Sequence, residues 1–583
     1  MMNLTMAEIE HVRHTLSHLL AAAVLHHYPK AKPTIGPAID DGFYYDFEFP
    51  KGKAPGEQDF AKIEKTMREL LPTWTAFSHV VVSPAKARTT FKGNPFKLEL
   101  IKDIVKAKEK ITLYTCGAFT DLCRGGHAEN PAKDIAPDSF KLDRIAGAYW
   151  RGDEKNEMLT RIYGLAFASK KELDDFLALR EEAKKRDHRK IGHDMDLFLT
   201  SELVGQGLPL WTPRGTTFRN ELDAYVWELR SEYGYERVTI PHLTKKDLYE
   251  KSGHWAKFSN ELFRIKTREG KEYAVKPMNC PHHAQIFMRK PHSYREMPQR
   301  YAETTMVYRD EQSGELGGLT RVLSITQDDS HVFCRMNQVR DEYFKIWDIV
   351  DRFYGTFGFK LRVRLSFHDP KEMQKYLGTP EIWKSAEDAL RSIAKERKAD
   401  YFEAVGEAAM YGPKLDFMAT DSMGRQHQVA TIQLDMNQPE RFDLTCVNEK
   451  SEKERIVMIH CAIMGSLERF SAVLIEHLAG VFPLWLSPVQ VKVLPVSDKH
   501  TAYAQDVVAQ LKAAGIRVAL SDMDPLGKRI RATKLERVPY FLVIGEAEVT
   551  ASTATLEGRA GKVGVLSVPE IIAKLKEEIH TRA

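Results

Sequence analysis

Between residues 191 and 486 the chain repeats one texture. Strand-like runs (AVKPM, TTMVYRD, RVLSITQDD, KLRVRLSF, KLDFMAT, QVATIQLDM) alternate with amphipathic helical stretches. A β-rich middle of this length must pair its runs with one another, and the pattern predicts a mostly antiparallel sheet that carries helices. No other feature of the sequence restricts the possible folds so strongly.

The flanks differ in kind. Residues 7–28 place Ile9, Val12, Leu16, Leu19, Leu20 and Val24 at helical spacing. The stretch GPAIDDGFYYDFEF (36–49) has the Asp-Gly punctuation and aromatic run of strands joined by a turn. A charged helix over about 171–190 reads as a connector between domains. The Pro-rich joint FPLWLSPVQ (482–490) marks a second boundary, and the rest alternates as a small α/β module. The expected organisation is α+β and multidomain, with domains at 1–185, 186–486 and 487–583. At about 150 residues per domain, a chain of 583 residues accommodates three to four.

Bulk properties exclude some classes. Six cysteines (Cys116, Cys123, Cys280, Cys334, Cys446, Cys461) in so long a chain are no disulfide framework, so reduced thiols or metal ligands and a cytoplasmic location are expected. The N-terminal residues lack the charged-then-apolar pattern of a signal peptide, and no apolar run of about 20 residues could span a membrane. A net charge of +4 neither demands nor excludes a nucleic-acid partner.

Two groups of residues have metal-ligand chemistry. His14 and His18 lie at i, i+4 on one helix face, and Cys123 and His127 repeat that spacing in DLCRGGHAEN. From spacing alone these four form a strong zinc pattern. Cys280 in KPMNCPHH, His331 in QDDSHVFC and His460 in VMIHCAIMG lie far apart, and composition cannot show that they meet.

The text around those three resembles the class II aminoacyl-tRNA synthetases, and within them the threonyl-tRNA synthetase family. GTTFRNELDAYVWELRSEYGYERVTIPHL (215–243) is similar to motif 1, YRDEQSGELGGLTRVLSITQDDSHVFC (308–334) to motif 2, and GSLERFSAVLIEH (465–477) to motif 3. KPMNCPHH, YGPKLDF and VMIH are characteristic of the threonine enzyme. The resemblance implies a class II antiparallel-sheet catalytic core between an N-terminal editing domain and a C-terminal α/β anticodon-binding domain. It implies a homodimer formed through motif 1, with ATP, L-threonine and the threonine tRNA as partners and no membrane. Arg309 would meet the α-phosphate and Arg469 the γ-phosphate. Arg321 would also face the triphosphate, Glu311 would read adenine, Gln428 would hold the nucleotide, and Mg²⁺ would bridge the phosphates. These types suit the task, because activation needs two anions positioned and charge on the phosphates stabilised.

By the same resemblance Cys280, His331 and His460 hold one Zn²⁺ with an open position. Met278, Gln327, Asp329, Tyr411 and Lys414 shape the threonine pocket, with Asp329 on the hydroxyl. His254 helps transfer threonine to the tRNA. An apolar pocket separates threonine from isosteric valine by only about 10²-fold, whereas a site that binds the hydroxyl rejects its absence far better. Serine carries the hydroxyl too, and one missing methyl is worth only about 1–3 kcal/mol, so a correcting site is needed. The resemblance assigns that task to His14, His18, Cys123 and His127, with Tyr45, Lys97 and Asp121 nearby. It implies metal-free hydrolysis with His14 handling the water, against the zinc reading from spacing. Glu548 in the last module would read an anticodon base, and the basic segment GKRIRATKLER (527–537) would serve tRNA or be a solvated helix face.

Three departures from the family pattern stand out. The sequence starts almost at His14, so the usual small extra domain is expected to be absent; Ile325 stands where an adenine-stacking Phe is usual; and Glu557 stands where an Arg is expected. Two other function classes remain open from sequence: an RNA-binding regulator that reuses a synthetase body, and a zinc hydrolase centred on the N-terminal four.

Overall fold

The structure, a computed structural model, describes residues 5–582; residues 1–4 and Ala583 lie outside the described residues. The chain divides into two compact units, the first ending at Glu182 and the second starting at Ala183. Among the described residues no helix is long and apolar enough to cross a membrane.

The first unit is organised by helix α1 (Met6–His27). Thr5 caps it: the Thr5 hydroxyl accepts from the Glu8 amide, and the Glu8 carboxylate accepts from the Thr5 amide at 2.6 Å. This capping box satisfies amides that the first turn leaves unpaired. The apolar face (Leu16, Leu19, Leu20, Val24) packs on Phe43, Tyr45 and Phe47. Those aromatics come from strand Gly42–Glu48, which turns back on Ala38–Ile39 as the Asp-Gly signal predicts. Strands Met158–Ala166 and Phe140–Tyr149 extend this sheet. A second, three-stranded antiparallel sheet ends in Phe119–Leu122, directly before Cys123.

The second unit begins with the end of a charged helix. The stretch read as one helix over 171–190 is two, Lys170–Arg186 and α2 (His188–Asp194), because Asp187 breaks the run and caps α2 by accepting from the Arg189 amide. Helix α3 (Pro213–Ser231) follows, capped by Thr212 with Pro213 in its first turn. The central sheet has eight strands: β1 (Glu236–Arg237), β2 (Gln299–Tyr308), β3 (Ser324–Cys334), β4 (Lys360–Phe367), β5 (Tyr401–Val405), β6 (Lys414–Thr420), β7 (Gln426–Asp435) and β8 (Val457–Ser466). Their spatial order is β1-β2-β3-β8-β7-β6-β4-β5, antiparallel throughout except for the two edge pairs. Five of the six strand-like runs lie in this sheet. AVKPM does not: Glu272–Val275 belongs to a separate three-stranded sheet, and the chain then leaves strand geometry before helix α4 (Cys280–Phe287). Helices α5 (Val339–Thr356) and α6 (Leu467–His477) bury Ile346, Val350, Phe353, Phe470 and Leu474 in the same core.

The C-terminal module has five strands, parallel in 518–520, 491–495 and 540–544 and antiparallel beyond, with its own core around Val493, Leu542 and Leu575. It is tied to α3 by pairs spaced seven residues apart. Arg214 meets Glu536 at 2.7 Å, Glu221 meets Arg517 at 2.6 Å, and Glu228 accepts from Arg582 at 3.1 Å.

Register in the middle of the sheet is pinned by a buried carboxylate. β3 pairs with β8 so that His331 lies opposite His460, with an irregularity between Gln327 and Asp329. Asp328, fully buried, points to the other face and accepts from the amides of Ile463 (2.8 Å), Met464 and Gly465 (3.0 Å each), and from Arg230 of α3 at 3.1 Å. Replacing Asp328 with Ala strands one buried cation and those amides. The expected loss is about 3–5 kcal/mol, read as a lowered denaturant midpoint for the transition that exposes the catalytic core.

Candidate functional site

The cross-strand pair brings two of the three distant ligands together, and α4 supplies the third. The donor atoms of Cys280, His331 and His460 all lie within 4.8 Å of one another, and all three residues are buried. His331 Nε2 and His460 Nδ1 are 3.0 Å apart. Their outer nitrogens are engaged: His460 Nε2 is 2.9 Å from Asp435 Oδ2, and His331 Nδ1 is 2.8 Å from His283 Nδ1. A carboxylate only accepts, so His460 carries its proton on Nε2 and presents the Nδ1 lone pair to the cluster. Gln438 donates to Cys280 Sγ at 3.5 Å. One sulfur and two imidazole nitrogens from rigid elements, with partners behind them, fit a zinc ion with an open position. Burial pushes the Cys280 thiol well above its usual pKa and His331 well below.

Of the residues assigned to threonine, Asp329, Tyr411 and Met278 lie around this cluster. Asp329 shares the sheet face of His331, 3.9 Å from its Nε2, and accepts from the Asn279 amide group at 2.9 Å. The Tyr411 ring lies 4.9 Å from that of His460. His254 is fully buried; its Nδ1 meets the Ser252 hydroxyl at 2.8 Å and its Nε2 lies 3.2 Å from Met278 Sδ. Burial, reinforced by His460 and Arg309, lowers His254 to about 3, so it is a neutral imidazole near neutral pH. Gln327 sits two residues before Asp329 on β3. Lys414 lies further along the sheet, 3.5 Å from the buried carboxylate of Asp416.

The residues assigned to the nucleotide lie on the motif 2 segment between β2 and β3, on β7 and on α6. Arg309 stands over the Phe258 ring at 5.9 Å, and its buried Nε has no partner. Glu311 does not stand free: one of its oxygens accepts twice from Arg321, at 2.9 and 2.5 Å, and Glu315 takes a third contact at 2.9 Å. Arg469 stands in the first turn of α6, where its amide donates to Ser466. Partial burial and then the facing Arg321 cation lower its pKa. Gln428 accepts from Arg364 at 2.7 Å and donates to Asp416 at 3.0 Å, so it is part of a buried network across β4, β6 and β7. Ile325 is half-buried on β3.

In the first unit, His14, His18, Cys123 and His127 also converge within 4.8 Å. His14 Nε2 is 3.2 Å from His18 Nε2 and 3.5 Å from Cys123 Sγ, which is 3.5 Å from His127 Nε2. His127 stacks on Phe77 with centroids 4.0 Å apart. Beside them Asp121 is bonded to both Lys97 and Tyr45, all three buried, and lies 3.5 Å from His18 Nδ1. A cavity of about 500 Å³ opens here, lined by His14, His18, Lys97, Asp121 and Cys123 among others.

In the C-terminal module Glu548 closes its own helix cap. It accepts from the Gly545 amide at 2.9 Å and from the Thr555 hydroxyl at 2.7 Å. Of the basic segment, Arg529 is buried and donates to the Asp524 and Ser521 carbonyls, so that guanidinium serves the fold.

Sequence reasoning missed Asp328, Asp435, His283, Gln438 and Asn279. His283 and Asn279 flank Cys280 closely enough to have been flagged; the others are visible only once strands pair.

The N-terminal cluster has a pH signature. Burial, before any charge effect, lowers the pKa of His14 and His18, and lowers His127 to about 2. Below the ordinary value near 6.5 the unfolded chain takes up protons that the folded cluster refuses. Stability is therefore lost as pH falls from about 7. Thermal unfolding from pH 7.5 to 5.5 should show this decline, and His127→Gln should make it shallower.

Comparison with known proteins identifies the family of the chain. The family described as tRNA synthetase class II core domain (G, H, P, S and T) matches residues 263–478. The anticodon binding domain matches 490–578, and the threonyl and alanyl tRNA synthetase second additional domain matches 111–163. The threonine–tRNA ligase of Porphyromonas gingivalis is 46% identical over 573 residues, covering 97% of this chain and 87% of that one. That of Gloeobacter violaceus is 44% identical over 589 residues, covering 99% and 93%. Among solved structures, the RNA binding domain of threonyl-tRNA synthetase from Cryptosporidium parvum superposes with a TM-score of 0.65 at 38% identity, covering 67% of this chain and 98% of that one. Giardia lamblia prolyl-tRNA synthetase, 16% identical with a TM-score of 0.54 over 69% of this chain and 80% of that one, shares the fold. On identity and coverage together, the chain belongs to the threonine–tRNA ligase family.

Proposed function

We propose that this protein activates L-threonine with ATP, passes it to the threonine tRNA, and hydrolyses serine from mischarged tRNA in its N-terminal unit. One observation carries the first part: Cys280, His331 and His460, from three distant segments, meet beside Asp329 and near Arg309.

Cys280, His331 and His460 would hold zinc, which when bound supplies a Lewis-acid position for the amino and hydroxyl groups of threonine. Asp329, held by Asn279, accepts from the threonine hydroxyl, so valine leaves a half-buried carboxylate one partner short. Tyr411 and Met278 close the apolar side. Arg309, Arg321 and Arg469 bind the triphosphate, ATP entering as its Mg²⁺ complex, and Gln428 holds the nucleotide. Glu311 keeps one oxygen on Arg321 and offers the other to adenine. His254, neutral and buried, takes or relays the proton of the tRNA hydroxyl. The copies pair through the motif 1 segment, and the protein works in the cytoplasm.

The N-terminal four act without metal in this reading, and local charge supports it. The catalytic cluster has two carboxylates, Asp329 and Asp435, to balance a dication. At the N-terminal cluster the adjacent carboxylate, Asp121, is already neutralised by Lys97. His14, whose Nδ1 lies 3.1 Å from the Gly126 carbonyl, keeps its Nε2 toward the cluster to orient a water on the ester.

Threonine-dependent ATP–pyrophosphate exchange tests the first part. Exchange should be present and should fall by at least about tenfold in Cys280→Ser. A folded, zinc-loaded protein without exchange would defeat the reading. For the second part, His14→Ala should leave threonine charging unchanged while seryl-tRNA accumulates. Unchanged seryl-tRNA hydrolysis would remove His14 from the assignment.

A further inference from the structure

His188 has no role in the chemistry above, yet it joins the two elements that present Arg321 and Arg469. It opens α2 and is 5% exposed. On one side its Nδ1 is 2.7 Å from Glu476 Oε1, in the last turn of α6, the helix whose first turn carries Arg469. On the other side the Leu319 amide donates to its Nε2 at 3.1 Å. Leu319 lies inside the motif 2 turn closed by the pairing of Gly317 with Arg321.

The chemistry allows one arrangement. An amide N–H only donates and a carboxylate only accepts, so Nε2 is bare and Nδ1 carries the proton. Asp187, His188 and Glu476 have the spacing of a metal triplet, with donor atoms within 4.8 Å. A metal on Nδ1 would move the proton to Nε2, against the Leu319 N–H, so the group is a bridge and not a cation site.

The turn rests closely on that bridge. A Cβ on Gly318, at φ +51°, would lie 2.3 Å from His188 Nε2. Its other side faces a cavity of about 690 Å³ lined by Phe198, Gly207, Leu316 and Gly317 among others. Leu319 itself is packed in the core, so without the bridge it is the Leu316–Gly318 side of the turn, next to the cavity, that loses the contact holding it, and with it the pairing of Gly317 that sets Arg321.

We propose that His188 is a positioning residue for the nucleotide, locking the turn that bears Arg321 to the helix that bears Arg469. This rests on the reading of those two arginines as triphosphate ligands. Pyrophosphate exchange with the full-length protein tests it, varying ATP and threonine separately. His188→Asn keeps a donor to Glu476 and loses the acceptor for Leu319. It should raise the KM for ATP roughly tenfold and leave the KM for threonine near wild type, with a modest fall in melting temperature because a buried amide loses its acceptor. His188→Gln, which can return an acceptor to the Nε2 position, should recover most of that loss. Gly318→Ala should give the same ATP defect, not additive with His188→Asn. Arg321→Ala is the reference. If it raises the KM for ATP and His188→Asn does not, the proposal fails and the nucleotide reading stands. If Arg321→Ala and Arg469→Ala both leave that KM unchanged, the nucleotide reading fails and takes the proposal with it. Equal rises for both substrates with a lowered melting temperature would reduce His188 to a structural role and overturn the proposal.

Discussion

The catalytic unit depends on the register of one strand pair, β3 against β8. Directly opposed residues on antiparallel strands have Cβ atoms about 5 Å apart, close enough for two imidazoles to share an ion. A slip of one residue would turn His331 and His460 to the other face of the sheet. Apolar packing alone tolerates such slips where both faces are buried. Here the register is held by hydrogen bonds that have no equivalent one residue away. Asp328 accepts from three consecutive amides at the end of β8 and from Arg230. The face of β3 that carries His331 is therefore aligned by a carboxylate on the opposite face.

The two histidine clusters show why ligand spacing alone identifies chemistry poorly. Both gather imidazoles and a thiol within the same 4.8 Å. Their surroundings separate them. Behind the catalytic cluster, Asp435 fixes the tautomer of His460, and His283 stands behind His331. Beside the N-terminal cluster the backing is mixed: His14 has the Gly126 carbonyl and His18 stands 3.5 Å from Asp121, but that carboxylate is already occupied by Lys97 and Tyr45, and His127 stacks on Phe77. Imidazoles backed by acceptors are held with fixed lone pairs, as a metal requires. A carboxylate already neutralised by a lysine offers an added dication less compensating charge than Asp329 and Asp435 do at the other cluster.

What the sequence disclosed follows the range of the interaction. Helix α1, the strand runs of the central sheet and the α/β order of the last module are set by neighbours within a few residues, and their periodicity is readable. The run AVKPM was readable as a strand but not as belonging to another sheet, since an apolar run does not name its partner. That Cys280, His331 and His460 meet could not be read from spacing, because 129 residues separate His331 from His460; the family resemblance alone grouped them. Glu548, which the resemblance assigns to a base contact, also has a local use that its place three residues into a helix makes readable: it accepts from the Gly545 amide as a cap. Asp328 and His188 carry no local signal at all; each works through amides that only tertiary pairing brings near.

Helix α3 takes part in both halves of the second unit, and magnitudes decide which contact is the firmer. Its pairs with the C-terminal module are partly solvated: Glu221 and Arg517 keep 34% and 25% of their side-chain surface, Glu228 and Arg582 51% and 27%. Exposed pairs of this kind contribute about 0–1 kcal/mol each. The grip toward the sheet is of another order. Arg230 and Asp328 are 3% and 0% exposed, and breaking such a pair costs several times more. Arg219 adds a bond of 2.7 Å to Thr326, whose amide and hydroxyl are both held by Glu468 at the start of α6. So α3 is held to the central sheet by buried bonds and to the C-terminal module by weaker, partly solvated pairs, and it is the sheet side that fixes its position beside β3 and α6.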